Sequence, residues 1–143
     1  RHSFSSFDRL SLLRTGQLLL GRDVRRHMET PTYDEVLSDI RAHLQTIREH
    51  GRGARNLYAY GWLLDIARGL YVVMNGRPAT KTDAAQWALD ERLCPCPAEL
   101  AMALTVRRQP ELIRDASVLD YAEGLTGAIQ EFADLLEQAL KSQ

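Results

Sequence analysis

The stretch from about Arg55 to Asn75 constrains the fold of this chain more than any other feature. Leu57, Tyr60, Leu64, Ala67, Leu70, Tyr71 and Met74 recur at helical spacing along one side, and Trp62, Ile66 and Val73 make a second apolar stripe. A helix apolar on two sides must be covered on two sides, so the pattern predicts a central helix with others packed around it. The covering helices are legible as well. Over Tyr33 to about Glu49, Val36, Leu37, Ile40, Leu44 and Ile47 share one face, with Thr32 or Asp34 near the start and Gly51 beyond the end. Asn75-Gly76 stops the central helix and Pro78 marks a loop. Thr80 or Thr82 then caps a short helix through about Glu91 that carries Ala84, Ala85, Trp87, Ala88 and Leu89. Cys94 to Pro97 is the next break. Ala98 to Arg108 reads as a helix with Leu100, Ala101 and Leu104 facing inward. A long closing helix is expected from Val118 to about Lys141, through Tyr121, Leu125, Ile129, Phe132, Leu136 and Leu140. Gly124 and Gly127 inside it lower helix propensity and suggest close packing. The expected fold class is all-α, an antiparallel helical bundle with no internal repeat.

The first residues do not fit that pattern. Phe7, Leu10, Leu12 and Leu13 keep helical spacing up to Gly16, and Gln17 to Leu20 is a short apolar run closed by Gly21, which reads as helix, turn, strand. A lone strand cannot satisfy its backbone groups, and the rest of the chain offers it no partner. Residues 1–30 are therefore expected to be a helix-strand remnant and linker, with the helical domain over 31–143. The segment Arg22 to Thr32, charged and containing Pro31, is the link. The start at Arg1, without an initiator Met or a leader, suggests a processed, cleaved or subcloned chain.

Composition narrows the partners. With 143 residues, 45% apolar and 26% charged, and a formal net charge of -1, the chain has enough apolar surface for one core and no excess of positive charge. Neither disorder nor a general nucleic-acid surface is implied. Apolar runs such as Leu18 to Leu20 and Leu70 to Met74 fall far short of the roughly 20 residues that span a bilayer. Cys94 and Cys96 flank Pro95 too closely for an unstrained disulfide. The histidines at 2, 27, 43 and 50 show no recognised zinc spacing relative to them. A reducing, cytoplasmic setting is the default expectation.

Projected at about 100° per residue, Tyr58, Gly61, Asp65, Arg68 and Val72 share one strip of the central helix, between its two apolar sides. Asp65 and Arg68 at i,i+3 can satisfy one another as an ion pair that contributes little net stability. Alternatively, Arg68 faces a cleft, where a guanidinium grips phosphate in bidentate fashion, and Lys81 at the start of the next helix adds a second cation.

Residues Leu64 to Leu89, LDIARGLYVVMNGRPATKTDAAQWAL, combine an Arg-bearing helix, a Gly, a Thr-Lys step and Ala-Ala-x-Trp-Ala. In that order they resemble the helical domain of the streptomycin/spectinomycin adenylyltransferases, which modify aminoglycosides. FDRLSLLRTGQLLLGRDVR upstream looks like the last helix and strand of the nucleotidyltransferase domain that precedes it in that family. The resemblance implies that Arg68 and Lys81 reach the ATP triphosphate from the helical side of an interdomain cleft. It also implies transfer of AMP, or another nucleotidyl group, to a hydroxyl of a small molecule. The family's Gly-Ser motif, paired magnesium-binding Asp residues and general base are not among these residues. ATP and Mg2+ are thus expected cofactors of an intact enzyme whose Mg2+ ligands and N-terminal nucleotidyltransferase domain lie outside this chain. On the acceptor side the family positions fall on unlike residues, near Glu49, Ala54 and Tyr58. Tyr58, Trp62 and Asp65 are the residues offered to the acceptor, although helical spacing gives Trp62 and Trp87 a core reading. The family aromatic that contacts the nucleotide aligns near Arg107, whose guanidinium can stack on a base.

Two other readings stand beside this one. In the first, the chain is a non-enzymatic helical interaction module, an antitoxin-like partner, with Asp65 and Arg68 purely structural. In the second, Arg22 and His27, spaced Arg-x4-His, belong to a helical ribonuclease of the kind that accompanies minimal nucleotidyltransferases, though here the motif falls in a linker rather than on a late helix.

Overall fold

The computed structural model describes residues 32–50 and 58–143, and among them it is all-helical. The expected helix-strand remnant at residues 1–30, the Arg22/His27 motif and Leu57 lie outside the described residues. The elements are α1 (Tyr33–His50), α2 (Tyr58–Asn75), α3 (Lys81–Asp90), α4 (Pro97–Arg108), a short 3-10 turn (Pro110–Arg114), α5 (Ala116–Glu123) and α6 (Thr126–Lys141).

α1 opens on a reciprocal cap. Thr32 Oγ1 accepts the Glu35 backbone N–H at 3.1 Å, while Glu35 Oε1 accepts the Thr32 N–H at 3.0 Å, so two donors that the helix leaves orphaned are both satisfied. Its buried face is Val36, Leu37, Ile40, Leu44 and Ile47. α2 lies at the centre, touching α1 and every helix from α3 to α6. Both of its expected apolar sides are used, with Tyr60, Leu64, Ala67 and Leu70 buried together with Ile66 and Val73. The core they share with Leu100, Ile129, Phe132 and Leu136 is one continuous cluster, with Trp62 and Trp87 packed on its margin.

The closing segment departs from the single long helix expected. It breaks at Gly124, whose N–H donates to the Tyr121 carbonyl at 3.1 Å, and the Leu125 N–H donates to the Ala122 carbonyl at 3.2 Å. Leu125 in this tight turn is buried at 1% exposure, and α6 begins at the next residue. α5 is held against α2 by the Tyr60 hydroxyl, which donates to the Val118 carbonyl, and by Tyr121 stacked parallel to Tyr60 with centroids 6.5 Å apart. Tyr121 is therefore a half-covered lid over Tyr60 rather than a core residue.

Gly124 and Gly127 do not mediate close packing, because a Cβ at either would meet only ordinary contact or open space. Gly69 does, as a Cβ there would come within 3.2 Å of both Ile40 and Leu136. Two smaller expectations also fail. Met74 is 54% exposed, because the apolar side of α2 ends at Val73 and the next residue turns away by about 100°. On α4 the inward row is Leu100, Ala103 and Leu104, which leaves Ala101 exposed on the neighbouring row.

Candidate functional site

A cavity of about 530 Å³ opens where α1, α2 and the start of α3 meet. Its construction follows from local sequence. Asn75-Gly76 ends α2, with Gly76 at φ +69 and its N–H donating to the Val72 carbonyl at 2.8 Å, a left-handed conformation that suits glycine. The loop that follows is held from below, since Arg68 Nε donates to the Ala79 carbonyl at 3.1 Å. Thr80 then caps α3 by accepting the Asp83 N–H at 3.0 Å. Tyr71 on α2 meets Trp87 on α3 edge to face at 5.1 Å, and Arg77 Nε donates to the Tyr71 hydroxyl at 3.1 Å. These contacts fold α3 back along α2 and set its first residue, Lys81, beside Asp65.

α1 forms the opposite wall with Asp39, His43 and Thr46, each one position before a buried residue of its inner face. At Gly69, which lines the cavity together with Ile40 and Leu136, the missing side chain lets α1 and α6 approach α2.

Asp65 is the hub. Its Oδ1 lies 2.9 Å from Lys81 Nζ and its Oδ2 lies 2.8 Å from His43 Nε2. The carboxylate is the most enclosed of the three groups, with its side chain 19% exposed against 29% for Lys81 and 49% for His43. Burial alone would raise the Asp65 carboxyl, but the His43 hydrogen bond and the Lys81 ammonium outweigh it and hold the group below the ordinary carboxylate range. Two carboxylates, Asp39 and Asp65, and two cations, Arg68 and Lys81, thus line one open space with charges that cancel, and a proton on His43 would make the sum positive. Such a set can bind an anion through paired cations and can exchange a proton at the imidazole.

No family model, curated protein or solved structure matches the chain.

Of the residues singled out in the sequence, Arg68, Lys81 and Asp65 share the cavity. Arg107 does not line it, standing exposed in the last turn of α4. Tyr58 and Trp62 also lie outside its lining. They stack on each other at 6.3 Å on the first turns of α2, with Tyr58 68% exposed and Trp62 half-buried against the core. His43 and Asp39 were missed. Their spacing on α1, one residue ahead of Leu44 and Ile40, marks them as flanking the buried face, but nothing local tells which helix they meet.

Cys94 and Cys96 form a second cluster, both buried as thiols with Sγ atoms 3.6 Å apart. The hydrogen bond between them lowers the Cys94 thiol, and the same bond together with burial pushes Cys96 up. Among the described residues no group of three or more His, Cys, Asp or Glu side chains is placed to hold a metal ion, and no helix is long and apolar enough to cross a membrane.

Proposed function

We propose that the chain is the helical part of a nucleotidyltransferase, in which Arg68 and Lys81 receive the polyphosphate tail of a nucleoside triphosphate. A nucleotidyl group would then pass to a hydroxyl of a small molecule, with an aminoglycoside-like acceptor the one the sequence resemblance suggests. The observation that carries the reading is the convergence of these two cations, from adjacent helices, on one open cavity of about 530 Å³. The guanidinium offers a fork of donors matched to phosphate oxygens and the ammonium a mobile point charge. Together they would offset charge on the nucleotide and orient it for in-line transfer.

In this reading the partner is a nucleotidyltransferase domain outside the chain, acting in the cytoplasm, where ATP is available. Magnesium, which would supply Lewis-acid stabilisation of the phosphates, would be held by that domain, as the sequence resemblance implies. What this chain contributes is cation placement. Arg68 also holds the α2–α3 loop through Ala79, and Lys81 is paired with Asp65 at the cavity wall.

Titration calorimetry of ATP into the full chain tests this. Arg68→Ala and Lys81→Ala are each expected to weaken binding by about ten- to a hundredfold, the usual size for a charge-assisted contact. Arg107→Ala should leave it unchanged. ATP affinity indifferent to both cavity cations would sink the reading. A second reading, the non-enzymatic interaction module, is favoured by the mutual satisfaction of Asp65, Lys81 and His43. In that case Arg68→Ala would lower thermal stability and no ATP binding would be found.

A further inference from the structure

His43 is the cavity residue whose charge is conditional. Its imidazole Nε2 and the Lys81 ammonium share one carboxylate, each on its own oxygen, from two helices that Asp65 ties together. We propose that His43 and Asp65 couple polyphosphate binding in this cavity to the uptake of one proton, with protonated His43 taking over Asp65 so that the Lys81 ammonium is released to the anion. The inference rests on the polyphosphate reading of the cavity and adds to it a positioning residue, His43, that acts through Asp65 and Lys81.

With His43 neutral, an incoming polyanion must draw Lys81 from Asp65. That would leave a largely enclosed carboxylate, 19% exposed, facing a like charge with only a neutral N–H donor for compensation. With His43 protonated, the same carboxylate keeps a charge-assisted partner at 2.8 Å, and the cavity gains one positive charge for the anion. Linkage makes the effect reciprocal: whatever factor protonation adds to anion affinity, the anion adds to proton affinity.

The surroundings leave histidine as the group able to do this. On its own helix the cavity presents Asp39, α2 presents Asp65 and Arg68, and α3 presents Lys81. α6 brings Leu136 to the cavity, while its Asp134 and Glu137 pair with Arg48, which does not line it. Carboxylate, ammonium and guanidinium groups ordinarily titrate outside about pH 5–8, the range in which histidine changes charge. The His43 side chain is 49% exposed, so the proton has a direct route to solvent.

The test is calorimetry of ATP and of inorganic tripolyphosphate, without magnesium, binding to the full chain between about pH 5.5 and 8, in buffers of differing ionisation heat. Terminal phosphates titrate in the same range, so the quantity read is the difference between the wild-type protein and His43→Gln. Gln keeps a neutral donor for Asp65 and cannot be protonated. The wild type should bind about five- to tenfold tighter at the acid end than His43→Gln, with proton uptake larger by up to one, and the two should converge near pH 8. Asp65→Asn, which leaves Lys81 without its carboxylate, should bind tighter than wild type near pH 8, whereas a merely structural Asp65 would make it weaker. If Asp65→Asn does not fold by circular dichroism, the His43→Gln comparison decides alone. Parallel pH profiles for wild type and His43→Gln, with binding still weakened by Arg68→Ala, would overturn the coupling and leave the polyphosphate reading standing. Absence of wild-type binding to either anion at every pH would remove both.

Discussion

At Asp65, stability and the proposed polyphosphate binding pull in opposite directions. Its carboxyl is lowered in the folded protein, although burial opposes the shift, because His43 and Lys81 favour the charged form. A lowered carboxylate adds stability that is present above its ordinary range, near 3.8, and disappears as the pH falls through the folded value. Asp65→Asn should therefore cost about 1–3 kcal/mol at neutral pH, and the gap to wild type should be smaller at a pH below the ordinary value of 3.8. Urea denaturation of both proteins at the two pH values checks this, and a gap that persists in acid would assign the loss to packing instead. Arg68 is similarly divided, lining the cavity while its Nε holds the Ala79 carbonyl. The i,i+3 spacing of Asp65 and Arg68 is legible in the sequence. That Lys81 and His43 would both reach Asp65 is not, since His43 stands 22 residues away.

At the level of elements, α2 positions the site by letting its neighbours come close at one point. Gly61 and Gly69 lie about two turns apart on this helix. A Cβ at Gly61 meets nothing within 4 Å, whereas one at Gly69 meets Ile40 and Leu136 at 3.2 Å. Alanine relieves the entropic penalty of glycine at both places by up to about 1 kcal/mol. At 69 it also pushes α1 and α6 outward, an overpacking cost of about 1–3 kcal/mol. Gly61→Ala should thus raise the thermal midpoint and Gly69→Ala should lower it, and equal shifts by differential scanning calorimetry would refute the close approach. The starts of α1 and α3 were legible, because capping chemistry is local: Thr32 and Thr80 cap them through their own third-following residues. The division of the closing segment into α5 and α6 was not, because the apolar period runs through Gly124 without interruption, and the break lies in the backbone bonds from Gly124 to Tyr121 and from Leu125 to Ala122.

At the scale of the molecule, every described helix contributes to one core, with Phe132 of α6 fully buried within it. A single core implies a single cooperative transition. Phe132→Ala should destabilise by about 3–5 kcal/mol, and single-tryptophan variants reporting from Trp62 on α2 or Trp87 on α3 should show the same displaced midpoint. Separate midpoints would mean that α3 unfolds independently of the centre and that Lys81 is less firmly held than the cavity geometry implies. The all-helical class of the described residues, the central place of α2 and the inner face of α1 were determined by sequence alone, because a helix has to bury whatever its 3.6-residue period lines up. The cavity was decided only by tertiary structure. A carboxylate from α2, an imidazole from α1 and an ammonium from α3 become one charge network through the way three helices cross, and the spacing of residues within any one of them carries no record of that crossing.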